Sequence, residues 1–185
     1  MTENCMAVGT KAIDFTFDTL HETGVKLSDK VKEAQKTYLV FLRYYGCTSC
    51  QLDIMELIDE YHRFTEKGAQ VLLALQSTPE SIKAQHNGPE IPFTIICDPD
   101  QSIYKLYQLP AAPSKEVLVP ADSMEAFLAK KARCDARGLA HGEYEGEELQ
   151  LPAAFLLDGE MNVLFAKRAQ SIIDMPTIDQ VVAML

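Results

Sequence analysis

The chain has 185 residues, of which 27 are acidic and 17 basic, giving a formal net charge of -10 at pH 7. Because Lys and Arg are few and not clustered, this charge argues against binding to nucleic acid or to an anionic membrane surface. No apolar stretch approaches the roughly 20 residues that span a bilayer, and residues 1–6 lack a basic region followed by an apolar one, so we expect a cytoplasmic protein. The length is typical of one domain, taken here as residues 1–185.

The first half of the chain predicts a short hairpin followed by alternating strands and helices. Ile13, Phe15 and Phe17 alternate with polar residues, a period of two that indicates a β-strand in a hairpin over residues 11–27. An apolar run without alternation is typical of a strand that is buried on both faces. The predicted elements that follow are a strand over 37–42, a helix over 51–67, a strand over 71–75, a helix beginning at 79, a strand over 93–96 and a helix over 101–107.

The second half predicts an insertion and then a closing hairpin. Residues 110–148 are irregular in pattern, with a helix predicted over about 122–133. Asp158-Gly159 between two apolar runs indicates a hairpin of strands 153–157 and 163–167, and a helix over 177–185 follows. This order predicts an α/β, thioredoxin-like fold with an N-terminal β-hairpin extension and a partly helical insertion before the last β-hairpin.

Cys47 and Cys50 form a CxxC motif directly after a predicted strand and at the start of a predicted helix. Free N–H groups and the helix dipole stabilise a thiolate there, and the spacing allows a reversible disulfide within one turn. The pair is therefore a candidate redox centre. Two alternatives are an inert pair of buried thiols and a zinc site, but zinc usually requires a second ligand pair, which the sequence lacks.

Other residues are candidates for supporting roles. Arg43 ends the strand before the motif, and its charge could favour a thiolate or simply reach solvent. Cys97 is expected to act as a small buried hydrophobe. Cys134, in the insertion, is a candidate to resolve a sulfenic acid formed at the main site, and Cys5 lies near the N-terminus.

Short segments, in order along most of the chain, resemble AhpC/TSA-type peroxiredoxins and their peroxiredoxin-like branch. The resembling segments are Gly9-x-Lys11-Ala12-x-Asp14-Phe15, Phe41 to Cys50, Pro92 to Tyr107 with Asp98-Pro99-Asp100, and Leu149 to Asp158 with Pro152. The resemblance implies peroxiredoxin-like antioxidant or thiol-disulfide oxidoreductase activity without a bound cofactor or metal. It also implies an external thiol reductant such as a thioredoxin-type donor, and a homodimer. Thioredoxin-like folds place a cis proline beside the motif, so we expect a cis peptide at Leu151–Pro152.

The sequence departs from the family pattern P-x-x-x-T-x-x-C around the peroxidatic cysteine. When the pattern is aligned on Cys50, Arg43 stands in place of the proline and Cys47 in place of the threonine. The threonine hydroxyl that would hydrogen-bond a peroxide is therefore missing, and Thr48 and Ser49 are candidates to supply a hydroxyl instead. Two enzymatic hypotheses follow. In the first, Cys47, expected to be the more exposed thiol, attacks a protein disulfide and Cys50 resolves the mixed disulfide. In the second, Cys50 attacks a peroxide and Cys47 resolves the sulfenic acid. A non-catalytic redox-sensing or binding domain is the third hypothesis.

Overall fold

The computed structural model describes residues 6–185, and Cys5 lies outside the described residues. The strands are β1 (Thr16–Phe17), β2 (Val25–Lys26), β3 (Lys36–Phe41), β4 (Ala69–Leu75), β5 (Thr94–Cys97), β6 (Ala153–Asp158) and β7 (Val163–Arg168). The α-helices are α1 (Leu27–Lys30), α2 (Thr48–Thr65), α3 (Pro79–Gln85), α4 (Ser102–Leu106), α5 (Lys115–Leu118), α6 (Met124–Ala136) and α7 (Ile178–Met184).

The central sheet has the strand order β5-β4-β3-β6-β7, while β1 and β2 form a separate hairpin. Strand β3 pairs parallel with β4, and β4 pairs parallel with β5. Strand β6 runs antiparallel to both β3 and β7. The α/β, thioredoxin-like fold with an N-terminal hairpin and an insertion between α4 and β6 is therefore confirmed.

Apolar side chains cover both faces of the sheet, which explains why β3 shows no polar alternation. Tyr38 and Val40 pack on the face shared with α2 and α7, and Leu39 and Phe41 pack on the face shared with the N-terminal hairpin and α4. All four side chains are buried. A strand in the middle of a sheet that is covered on both sides requires apolar residues at every position.

Three sequence predictions differ from the structure in detail. Ile13 is exposed, because the hairpin strand is only two residues long and the alternation starts before it. The helical pattern over 101–107 predicts Leu106 on the inward face with Ile103 and Tyr107, but Leu106 is exposed and Tyr104 is buried instead. Helix α2 begins at Thr48 rather than at residue 51, because the Cys47 side chain caps its first turn.

The predicted cis peptide at Leu151–Pro152 is wrong, since residues 6–185 contain no cis peptide bond. Leu151 and Pro152 directly precede β6 and take part in backbone hydrogen bonds like those of a strand. The N–H of Leu151 donates to the carbonyl of Pro110, and the carbonyl of Pro152 accepts from the N–H of Ala169. Backbone pairing on both sides of the proline fits an extended trans peptide.

Tyr104 ties helix α4 to the carboxyl ends of two central strands. Its hydroxyl donates to the carbonyl of Leu42 at 2.6 Å and lies 2.9 Å from the carbonyl of Ala74. The helix is fixed in turn by Asp98, whose carboxylate accepts the N–H groups of Ser102 and Ile103. The buried Tyr104 hydroxyl thus fixes the backbone that leads from β3 into the CxxC turn.

We expect Tyr104→Phe to lower the free energy of unfolding by about 1–3 kcal/mol, because the Leu42 carbonyl loses the buried hydroxyl that donates to it. Urea denaturation measures the change. The matched control is Tyr144→Phe at an exposed tyrosine, for which we expect a change within about 0.5 kcal/mol. Equal effects of the two variants would contradict the structural role given to the Tyr104 hydroxyl.

Candidate active site

The CxxC motif lies where β3 ends and α2 begins. After β3, the N–H of Gln76 donates to the carbonyl of Arg43, which extends the pairing with β4 by one step. The N–H of Cys47 then donates to the carbonyl of Tyr44, forming a tight turn. Cys47 takes extended backbone angles and caps α2, while Cys50 lies in the first turn of the helix.

The sulfur of Cys47 accepts several hydrogen bonds. Arg43 Nη2 donates to Cys47 Sγ at 2.7 Å, and the backbone N–H of Cys50 donates at 3.3 Å. A side-chain hydrogen bond from Cys50 and the positive charge of Arg43 outweigh burial and lower the pKa of Cys47 to about 6. Cys47 is therefore largely a thiolate at neutral pH.

Cys50 has the opposite electrostatics. Burial, the hydrogen bond that it gives to Cys47 and the negative charge of Cys47 together raise the pKa of Cys50. Cys47 is 1% exposed and Cys50 5%, so neither thiol is exposed to solvent, although Cys47 alone of the two lines the cavity described below. Both sulfurs are buried because part of the insertion lies over the turn. In the reduced state the pair is one thiolate supported by one thiol.

We name residues 138–148 the covering segment. The N–H of Gly142 donates to the carbonyl of Gly46 at 2.8 Å, and a Cβ at residue 46 would collide with the backbone of Glu143. Glycine at this position therefore permits the close approach. Five side chains form further hydrogen bonds with the covering segment. Arg43, Gln51 and Ser77 donate to the Glu148 carbonyl, the Ala140 carbonyl and the Glu145 carboxylate, respectively. The side-chain carbonyls of Gln85 and Gln76 accept from the N–H groups of Glu143 and Glu147.

A cavity of about 280 Å³ opens beside Cys47, between the start of α2 and helix α6. Its lining includes Arg43, Cys47, Thr48, Ser49, Phe127, Lys130, Lys131, Cys134, Leu139 and His141. A larger groove of about 540 Å³ runs along α2 toward the C-terminal segment, and no cysteine lines it. The smaller cavity is therefore the one that can bring a substrate to the reactive sulfur.

The structure brings together most of the candidates from the sequence. Arg43, Thr48 and Ser49 share the cavity with Cys47, whereas Pro152 precedes the strand beside β3 and does not line it. Cys97 is buried at the end of β5 and also does not line the cavity, and burial raises the pKa of its thiol to about 12.

Aromatic contacts that no local sequence pattern predicts also hold the covering segment. The hydroxyl of Tyr44 lies 3.1 Å from Nε2 of His141, and the rings of His141 and Tyr144 stack with centroids 4.1 Å apart. Tyr44 is packed in the core, and no spacing in the sequence links residue 44 to residue 141. These contacts add to the hydrogen bonds that close the site.

The AhpC/TSA family model matches residues 8–166, which is most of the chain. The chain belongs to the AhpC/TSA family. It is accordingly a cysteine-based, thiol-dependent oxidoreductase, as the sequence predicted. No curated protein sequence is significantly similar to the chain.

Solved peroxiredoxin structures share this fold at low sequence identity. The reduced 2-Cys peroxiredoxin of Plasmodium vivax has a TM-score of 0.66 at 17% identity, covering 95% of this chain and 78% of that one. The yeast mitochondrial 1-Cys peroxiredoxin has a TM-score of 0.65 at 12% identity, covering 95% and 73%. Peroxidoxin BcpB of Mycobacterium tuberculosis has a TM-score of 0.64 at 12% identity, covering 96% and 94%.

Within residues 6–185, no three His, Cys, Asp or Glu side chains are grouped in a way that could hold a metal ion. None of the helices in that range has the length and apolar character needed to cross a membrane.

We expect Arg43→Met to raise the pKa of Cys47, because the variant keeps the aliphatic stem but removes the charge and its hydrogen bond. At pH 7 the alkylation rate of Cys47 by iodoacetamide should fall by about tenfold, as the thiolate fraction falls. The rate is measured against pH by mass spectrometry. Arg63→Met, at an arginine paired with Glu60 and Asp179, is the control and should leave the profile unchanged.

We further expect Cys50→Ala to raise the pKa of Cys47 more than Cys50→Ser does. The side-chain hydrogen bond from Cys50 is the largest contribution that lowers this pKa, and a serine hydroxyl can still donate whereas alanine cannot. Thiolate absorbance during a pH titration compares the two variants. Identical titration midpoints would show that the Cys50 side chain does not stabilise the thiolate.

Proposed function

We propose that this enzyme reduces peroxides, with Cys47 as the nucleophile and Cys50 as the resolving thiol. The observation that carries the proposal is the environment of Cys47 Sγ, which accepts hydrogen bonds from Arg43 and from the N–H of Cys50 at the start of α2. This assignment reverses the one obtained by aligning the family pattern on Cys50. A thiolate is the reactive form of cysteine, and in this pair it is Cys47 whose pKa is lowered.

In the proposed reaction, the Cys47 thiolate attacks one oxygen of the peroxide and the O–O bond breaks. The other oxygen leaves as hydroxide or alkoxide and takes a proton from water, while Cys47 becomes a sulfenic acid. The Cys50 thiol then condenses with this sulfenic acid, forming the Cys47–Cys50 disulfide and releasing water. An external thiol donor returns both cysteines to the reduced state.

The burial of Cys47 favours a small substrate over a protein disulfide. Cys47 is 1% exposed beneath the covering segment, and the adjoining cavity of about 280 Å³ is near the lower limit of small-molecule pockets. A peroxide can enter such a cavity, whereas a loop of a protein substrate would first have to displace the covering segment. Disulfide reduction remains the second candidate function, because a CxxC pair with a thiolate at its first position can also perform it.

The deciding experiment traps sulfenic acid with dimedone that is present before hydrogen peroxide is added. We expect label at Cys47 in the Cys50→Ser variant and none at Cys50 in the Cys47→Ser variant, since only Cys47 is a thiolate. We also expect peroxide consumption with a dithiol reductant to be lost in Cys47→Ser. Label at Cys50 alone would make Cys50 the nucleophile, and no label in either variant, together with insulin disulfide reduction by wild type, would establish the second function.

Several further assignments rest on the same proposal. We propose that Arg43 stabilises the Cys47 thiolate and that Thr48 and Ser49, at the cavity, are positioned to contact a bound peroxide. We also propose that residues 1–185 act as one domain. A thioredoxin-type donor, a homodimer and a cytoplasmic location stay predictions of the sequence and of the family resemblance.

A further inference from the structure

A third thiol, Cys134, lies beside the active site and has no role in the reaction described above. It is 3% exposed on α6, and its Sγ donates to the backbone carbonyl of Thr48 at 3.6 Å. Thr48 is the residue directly after Cys47 and the first residue of α2. Cys134 therefore packs against the same helical turn that presents the reactive sulfur.

Ion pairs between α2 and α6 fix the position of Cys134. They lie about one helical turn apart and join Asp53 to Lys130, Glu56 to Arg133, and Asp59 to Arg137, the residue directly after α6. The Asp53–Lys130 pair is the most buried of them, with Lys130 11% exposed. Paired charges of this kind hold α6 in one register, and in that register Cys134 faces the start of α2.

Cys134 and Cys47 line one cavity, together with Arg43 and Ser49. The cavity is the proposed entry route of the peroxide, so the oxygen that Cys47 gains would lie on the side where Cys134 is found. Cys50 approaches Cys47 from within α2 instead. An oxidised Cys47 thus has one thiol on its own helix and a second one lining the same cavity from α6.

The electrostatics of the site change in favour of Cys134 once Cys47 is oxidised. Burial is the main cause that raises the pKa of Cys134, Lys130 lowers it, and the negative charges of Asp53, Cys47 and Asp135 raise it further. A sulfenic acid at Cys47 is uncharged, so its contribution disappears and that of Lys130 remains. The Cys134 thiol is then easier to ionise than in the reduced enzyme.

We propose that Cys134 is a second resolving thiol, which condenses with the Cys47 sulfenic acid in competition with Cys50. This inference rests on the proposed peroxidase function. The S–O bond of the sulfenic acid breaks, a Cys47–Cys134 disulfide forms, and the hydroxyl group leaves with the Cys134 proton as water. The peroxide is the only oxidant required. The product joins the insertion covalently to α2.

Tryptic digestion distinguishes the two disulfides. Trypsin cleaves after Arg43, Arg63, Arg133 and Arg137, so Cys47 and Cys50 share the peptide 44–63, while Cys134 lies on the peptide 134–137. A Cys47–Cys50 bond is therefore internal to one peptide, and a Cys47–Cys134 bond links two. The reduced protein is treated with one equivalent of hydrogen peroxide, quenched with acid, alkylated and separated on a non-reducing gel, and the monomer band is digested for mass spectrometry.

We expect linked peptides 44–63 and 134–137 from wild type, a larger share from Cys50→Ser, and none from Cys134→Ser. The control is Cys97→Ser, which removes another buried thiol that does not line the cavity and should leave the linked pair unchanged. Serine at residue 134 can still donate to the Thr48 carbonyl, so the packing is largely kept. In the Cys50→Ser background, Cys134→Ser should lengthen the lifetime of the Cys47 sulfenic acid by about tenfold, because an intramolecular reaction partner is lost.

The outcomes separate this inference from the function on which it rests. Sulfenic acid trapped at Cys47, without linked peptides 44–63 and 134–137 in the wild-type monomer band, would overturn the role of Cys134 alone. Linked peptides found only in a dimer band would also overturn it, since the bond would then join two copies. If Cys47 forms neither sulfenic acid nor a disulfide with peroxide, both proposals fail.

Discussion

The contact between Arg43 and Cys47 is the interaction on which the site depends. A thiolate with almost no solvent exposure is unfavourable unless donors and a positive charge replace the water it has lost. Arg43, the N–H of Cys50 and the Cys50 side chain provide this replacement. The same arginine donates to the Glu148 carbonyl, so a single side chain both stabilises the charge and holds the segment that hides it.

The fold places this arginine through the parallel part of the sheet. Arg43 lies two residues after the end of β3, where its carbonyl still accepts from Gln76 beyond β4 and its side chain turns toward the helix start. The N-termini of helices that follow parallel strands collect at that edge, and with them the free N–H groups that stabilise anions. Gly46 then allows the covering segment to approach the turn closely. Strand, turn, helix and insertion thus each contribute one part of a closed site.

Local patterns in the sequence were sufficient for the fold and for the cysteine pair. The uninterrupted apolar run of β3, the helical period of α2 and the Asp158-Gly159 turn each depend on neighbouring residues, and their elements are present. The start of α2 was placed three residues late, because a cysteine is not an ordinary helix cap. The bonds of the covering segment could not be predicted, since Arg43 meets Glu148 and Gln85 meets Glu143 across long sequence separations.

Closure of the site also affects the choice between the two chemistries of a CxxC pair. An exposed pair can approach another protein, whereas here the insertion leaves only a small cavity next to the thiolate. Oxidation changes the balance, because an uncharged Cys47 no longer compensates the positive charge of the Arg43 guanidinium. The contacts that close the site are therefore most favourable when Cys47 is a thiolate, the state in which a reactive sulfur most needs protection from larger molecules.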